Sequence, residues 1–203
     1  MPGGYLFAEH RNLPVGAARI FFRAEVDPHV VLMEAEPALA DDPVAVDFGA
    51  IGGDLFVQPT ADGGERVLLR RDGLHLRVDL TAGTVLEGPV RPRVVLPGLW
   101  GIGPQLLTLK RLGVLARGSK LPPSLKPREK RAGRWARMLQ ALDGVISGGS
   151  HRDIAVAIFG TETVQSDWRG ASDHLRLKVQ RLVREARRLA NGGFRAILKG
   201  DDA

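Results

Sequence analysis

The sequence predicts an α+β protein: an N-terminal small antiparallel β domain followed by a C-terminal helical helix-turn-helix domain. Three observations predict it. Short β-type runs separated by Gly, Pro and Asp-Gly breakers fill residues 18–96, and apolar repeats of three and four residues take over from residue 102. Charge divides at nearly the same place. Lys plus Arg is 29 and Asp plus Glu is 23, a net of +6, yet residues 1–109 hold 9 basic and 14 acidic groups while residues 110–203 hold 20 and 9. The first part is therefore −5 and the second +11. Finally, residues 150–193 join a capped short helix to a long arginine-rich amphipathic one.

Residues 1–16 form an irregular lead-in broken by Pro2, Gly3, Gly4 and Pro14. Seven β-type runs follow: Ala18–Ala24, Val30–Glu34, Val44–Phe48, Leu55–Gln58, Val67–Arg71, Leu74–Leu80 and Val90–Leu96. Ala61-Asp62-Gly63-Gly64 and Arg71-Asp72-Gly73 are hairpin signals, because Asp-Gly tolerates positive φ. In GLHLRVDL, Leu74, Leu76, Val78 and Leu80 alternate with His75, Arg77 and Asp79, so one face is buried. The spacing predicts a small antiparallel sheet or sandwich over residues 18–96, within a β-rich domain of residues 1–100.

Residues 101–130 are expected to be a helix and a basic Pro-rich linker. The helix covers 102–116, with Leu106, Leu109, Leu112 or Gly113, and Leu115 or Ala116 facing inward. Pro122, Pro123 and Pro127 forbid its continuation. Residues 131–203 then form the third unit. A helix over 131–147 puts Trp135, Met138, Leu139, Leu142, Val145 and Ile146 on one face, and Gly148-Gly149 ends it.

The next helix opens at Ser150, with Asp153 three residues on completing a capping box, and closes at Gly160. The long helix is expected from Ser172 to about Asn191, stopped by Gly192-Gly193. Leu175, Val179, Leu182, Ala186 and Leu189 form its buried stripe. Arg176, Arg181, Arg184, Arg187 and Arg188 fall on the opposite arc. Between the two helices lie 11 residues, TETVQSDWRGA, longer than a simple turn, and a short extra helix is expected around Val164–Arg169.

Composition excludes several classes of function. There are no cysteines, so disulfides and thiolate metal sites are absent. The five histidines, His10, His29, His75, His151 and His174, show no HExxH spacing, and no metal site or cofactor is expected. Ser150, His151 and Asp153 are too close along one helix start to form a relay, since they point in different directions. Gly101 and Gly103 match neither phosphate-loop nor dinucleotide fingerprints. No catalytic residue is assigned. No apolar run approaches 18 residues and no signal segment opens the chain, so a cytoplasmic protein without membrane contact is expected.

A basic amphipathic helix suits double-stranded DNA. An α-helix fits the major groove, and its N-terminal residues reach base edges. Here those are Ser172, Asp173, His174, Arg176, Gln180 and Arg181. Arg184, Arg187 and Arg188 lie further along and suit phosphates. Ser150, His151 and Arg152 can offer amide groups and charge to a backbone phosphate.

The blocks ALDG (Ala141–Gly144), SHRDIAVAIFG (Ser150–Gly160), Asp167-Trp168 and SDHLRLKVQRLVREARRLANGGFRAIL (Ser172–Leu198) fall in one order. In that order and spacing they resemble the RovC-like DNA-binding domain family of proteobacterial transcriptional regulators. FAEH and FFRAEVDP (Phe21–Pro28) extend the resemblance more weakly toward the N-terminus. The resemblance implies a transcriptional regulator whose β-rich domain oligomerises, with its DNA surface at the helix start at Ser150 and along the helix from Ser172. Many members carry a further short helical segment before the part corresponding to Tyr5, so the resemblance implies that this chain needs a partner or is one portion of a larger activator.

The expected function is a sequence-specific DNA-binding transcription activator, not an enzyme, acting as a homo-oligomer. Two alternatives stand beside it. One is an interaction module that works through RNA polymerase or another regulator subunit, suggested by the acidic β half. The other is an enzyme acting on nucleic acid.

Overall fold

The computed structural model describes Leu13 and residues 18–127, 130–168 and 173–199. The chain divides into two compact units, Met1–Pro127 and Arg128–Ala203.

The first unit is built on a five-stranded sheet: β1 (Val31–Pro37), β2 (Asp54–Pro59), β3 (Glu65–Arg71), β4 (Leu74–Ala82) and β5 (Val90–Val95). The strand order is β2-β3-β4-β1-β5. Neighbours pair antiparallel except β1 and β4, which run parallel with Val31 opposite Val78. The sheet is therefore mostly, not wholly, antiparallel. The β3–β4 hairpin closes on Asp72 (φ 51) and Gly73 (φ 75), two successive positive φ values that Asp-Gly supplies at little cost. Strand alternation on β4 is as expected: Leu74, Leu76, Val78 and Leu80 are buried in one core with Val31, Met33, Val67 and Leu69.

Two expected strands do not form. Val44–Phe48 contributes only a bridge between Val46 and Val90. Asp42 accepts from the Val44 amide and Asp47 from the Ala50 amide, so two local turns bracket the run and leave too little backbone for a ladder. Ala18–Ala24 lies against the polar face of β4 instead of pairing with a strand. Arg77 Nε donates to the Ile20 carbonyl at 2.9 Å and its guanidinium stacks on Phe22. Just beyond, Asp27 is 2% exposed and faces Arg77 at 3.6 Å. The His29 amide and Nδ1 meet the same carboxylate at 2.9 and 3.1 Å.

Asp79, beside this cover, has its carboxyl pushed up to about 6 by burial, against the opposing pull of Arg66 and the Ala24 amide. A raised carboxyl favours the protonated fold. Its stabilising contribution is complete below the unfolded value and is lost as pH rises through about 6. Asp79→Asn is therefore expected to stabilise the protein at pH 7.5 by about 1 kcal/mol, allowing for partial solvent screening. Thermal melts at pH 7.5 and 4.5 check it: the gain should shrink to roughly a third at the lower pH, and an equal gain at both would exclude this origin.

Helix α1 (Gly103–Ala116) packs on this sheet. Leu112 and Leu115 enter the sheet core, with Leu109 and Ala116 at its margin, whereas Leu106 is exposed. Thr108 is the buried polar residue of this face. Its hydroxyl donates to the His29 carbonyl at 2.8 Å and so ties α1 to the entry of β1. Arg111 Nε donates to the Leu125 carbonyl at 2.8 Å and holds a short 3-10 turn at Pro123–Leu125. The helix and most of the Pro-rich segment are thus part of the sheet unit.

The second unit is helical: α2 (Ala132–Ile146), α3 (His151–Phe159), α4 (Thr161–Asp167), α5 (His174–Arg188) and α6 (Phe194–Lys199). Its core joins Ala141, Ile154, Ala155, Val164, Leu175, Val179 and Val183. On α2, Met138 and Ala141 are buried, while Leu139 and Ile146, expected inside, are exposed. Gly144 explains the close crossing of α2 and α3, because a Cβ there would lie 2.7 Å from Ile154 Cγ1. No described helix is long and apolar enough to cross a membrane.

Candidate nucleic-acid interface

The interface begins with two helix starts. At α3, Ser150 and Asp153 form the full capping box. The Asp153 amide donates to Ser150 Oγ at 3.3 Å and the Ser150 amide donates to Asp153 Oδ2 at 2.9 Å. The side-chain and amide hydrogen bonds from Ser150 hold the Asp153 carboxyl below its ordinary range. Ser150, His151 and Arg152 are all exposed at this turn, but the carboxylate of Asp153 occupies the Ser150 amide. Among the described residues, no hydrogen bond or ion pair joins this turn to α5.

The connection from α3 to α5 is helical. Gly160, at φ 87, ends α3 and passes the chain directly into α4, whose Val164 fills the core. The expected extra helix is therefore present, earlier by a few residues. Ser172, expected to cap the long helix, lies outside the described residues.

The first residue of α5 is His174, and Asp173 precedes it. Asp173 makes no cap hydrogen bond; instead its Oδ2 accepts from Arg176 Nη2 at 2.9 Å. Leu175, Val179, Val183 and Ala186 are buried. Val183 thus takes the place expected of Leu182, which is only partly buried at the core margin. The reason is geometric: steps of four, four and three residues keep the stripe on one arc against α2 and α3. After Arg188 the chain leaves regular α geometry in a π turn at Leu189–Gly193, where Gly192 reaches φ 106, and α6 follows.

The remaining arc of α5 is the candidate surface. Asp173, His174, Arg176, Gln180, Arg181, Arg184, Arg187 and Arg188 are all exposed. At roughly 100° per residue, Arg181, Arg184 and Arg188 gather opposite the buried stripe, and Gln180, Arg176 and Arg187 occupy one flank. Among the described residues, Arg181, Arg184, Arg187 and Arg188 have no ion pair, whereas Arg176 is held by Asp173. Four exposed guanidinium groups on one rigid rod repel each other, so the arrangement favours a polyanion over water. Leu177 is 45% exposed in the middle of this arc.

Other cations escaped sequence reasoning. Lys178 stands on the same helix, its Nζ 4.9 Å from the Phe159 ring. Arg134 and Arg137 of α2 face the flank of α5 that carries Lys178 and Arg181. Their i, i+3 spacing was visible, but only the packing of α2 beside α5 brings them to the same surface. Among the described residues, no group of three or more His, Asp or Glu is placed to hold a metal ion.

An arginine-rich rod on a small helical core suits a nucleic-acid-binding domain, and comparison with known proteins points to that of a transcription factor. Residues 103–199 match the family model described as "T6SS, Transcription factor, DNA binding domain". This stretch belongs to the RovC-like DNA-binding domain family. The match starts at the first residue of α1, so it takes in the helix packed on the sheet as well as the whole described helical unit. No curated protein matches the chain.

Proposed function

We propose that this protein is a sequence-specific transcription activator that reads duplex DNA with α5 in the major groove, working in the cytoplasm as a homo-oligomer and catalysing no reaction. The observation that supports this reading is the exposed arc of α5, with four arginines that have no ion pair among the described residues, inside the segment that matches a transcription-factor DNA-binding family. Asp173, His174, Arg176, Gln180 and Arg181 occupy the N-terminal half, where base edges are within reach, and Ser172 precedes them. Arg184, Arg187 and Arg188 follow as phosphate contacts, and the α3 start at Ser150, His151 and Arg152 offers a second backbone contact. Leu177 on the same arc suits the methyl group of a thymine.

Arg176 is a conditional reader. Its pairing with Asp173 must open before it can grip a guanine, and that exchange raises the cost of a wrong sequence.

Oligomerisation is assigned to the sheet unit. One reading helix makes a small interface, and pairing doubles it. Beyond β5, Leu99 and Trp100 are 82% and 96% exposed, next to exposed Val94, Val95 and Leu96. So much apolar surface in one stretch favours a protein contact. The same surface also supports a second reading, in which the sheet unit engages RNA polymerase or another regulator subunit.

The test is a titration against genomic fragments from around the protein's own locus and from T6SS promoters, the system named in the family description, at two salt concentrations. One fragment should bind far better than the rest, with a log–log salt slope of about −4 to −8. Loss of the protein should then lower expression from that fragment. Equal binding of all fragments that disappears near physiological salt would leave α5 as a nonspecific basic surface and reject the reading.

A further inference from the structure

We infer that the helical unit holds a second phosphate-binding track beside the reading helix: a concave groove whose two rails are Arg134 and Arg137 of α2 and Lys178 and Arg181 of α5. The inference rests on the DNA-binding reading above and extends it to side chains on a different helix.

The groove has a volume of about 610 Å³ and Phe159 in its lining. Arg134 and Arg137 are three residues apart, as are Lys178 and Arg181, so each pair projects from one side of its helix. All four side chains are exposed. Phe159 steadies Lys178 through its ring, 4.9 Å from Nζ, which limits the rotamer freedom that binding would otherwise remove. A groove with cations on both walls concentrates field more than a convex helix face does. Its open shape suits an extended polyanion better than a small anion, which needs a closed pocket of donors.

One carboxylate opposes this. Glu185 lines the groove and accepts from Arg134 Nη2 at 2.5 Å. Arg137, among the described residues, has no ion pair. Glu185 therefore restrains one of the four cations, and its charge faces the path of the phosphates.

That ion pair separates a structural role from an electrostatic one. Arg134→Ala and Glu185→Gln both break it. If the pair only holds α2 against α5, both changes should act on DNA binding in the same direction. If the groove follows a DNA strand, they should act in opposite directions. The experiment uses the full chain, fluorescence anisotropy with the best-bound duplex and an unrelated duplex of equal length, and a series of salt concentrations. Arg137→Ala should reduce the log–log slope by about 1, and Arg134→Ala/Arg137→Ala by about 2. The double change should weaken both duplexes by a common factor of about ten, and Glu185→Gln should tighten both about threefold.

An unchanged slope in the double variant, or weakening by Glu185→Gln, overturns the groove. So does a loss confined to the specific duplex, which would make these residues base readers. The two readings fail separately. If Arg184→Ala/Arg188→Ala weakens binding while the α2 variants do not, the reading helix stands and the groove falls. The reverse outcome removes the Arg184–Arg188 face of α5 as a phosphate surface and keeps the groove. A wild-type protein that binds neither duplex removes both.

Discussion

Gln180→Ala/Arg181→Ala is expected to weaken binding to the preferred DNA fragment about a hundredfold and to leave the melting temperature unchanged. Both side chains are exposed, and Arg181 has no ion pair among the described residues, so nothing in the fold depends on them. A bidentate contact to a base discriminates by about 1–3 kcal/mol. Two such losses give about 3 kcal/mol, or roughly two factors of ten at 1.4 kcal/mol each. The effect on an unrelated duplex should be much smaller, because only the phosphate contribution of Arg181 is lost there. Arg187→Ala/Arg188→Ala makes the contrast: both duplexes weaken alike and the salt slope falls by about 2. Anisotropy titrations on the two duplexes measure all of this. Equal, small losses from both double variants would place base reading elsewhere than the N-terminal half of α5.

The second large effect concerns the sheet unit. Asp27→Ala is expected to lower stability by about 3 kcal/mol, because it leaves the largely buried Arg77 guanidinium of β4 without its counter-charge. The loss also removes the acceptor of the His29 amide and ring. His29 in turn presents the carbonyl that Thr108 of α1 grips, so the damage should spread to the sheet–helix packing. For Asp27, burial works to raise the carboxyl, and the hydrogen bonds from His29 with the charges of His29 and Arg77 outweigh it, holding the group below its ordinary value of 3.8. A lowered carboxyl contributes stability that is present above the unfolded value and lost as pH falls through the folded one. The difference between wild type and Asp27→Ala should thus be full at pH 6 and shrink below about pH 4. Denaturant unfolding at pH 6 and pH 3.5 checks both parts, and a loss below 1 kcal/mol at pH 6 would show that Arg77 finds other partners.

These two sites also differ in how they could be known. Arg181 and Gln180 were legible from periodicity alone. A helix with its apolar stripe at 175, 179, 182, 186 and 189 must present 180, 181, 184 and 188 to solvent, and the shift of the buried position from 182 to 183 leaves them there. Asp27 was not legible. It stands between two runs expected to be strands, Ala18–Ala24 and Val30–Glu34, and its role comes from Arg77, fifty residues on in the sequence.

The sequence by itself determined the elements whose causes are local. The Ser150–Asp153 capping box, the Asp72-Gly73 turn, the alternation of β4, the Gly160 stop and the amphipathic rod all follow from interactions within a few residues. The division of charge along the chain was visible in the same way.

Tertiary structure alone decided the rest. The parallel pairing of β1 with β4, the demotion of Ala18–Ala24 and Val44–Phe48, and the docking of α1 onto the sheet depend on partners far along the chain. So does the placement of Arg134 and Arg137 beside α5, which turns isolated charges on one helix into the wall of a groove. The physical reason is that periodicity specifies which side of an element is apolar, whereas the choice of what covers that side is made by long-range packing.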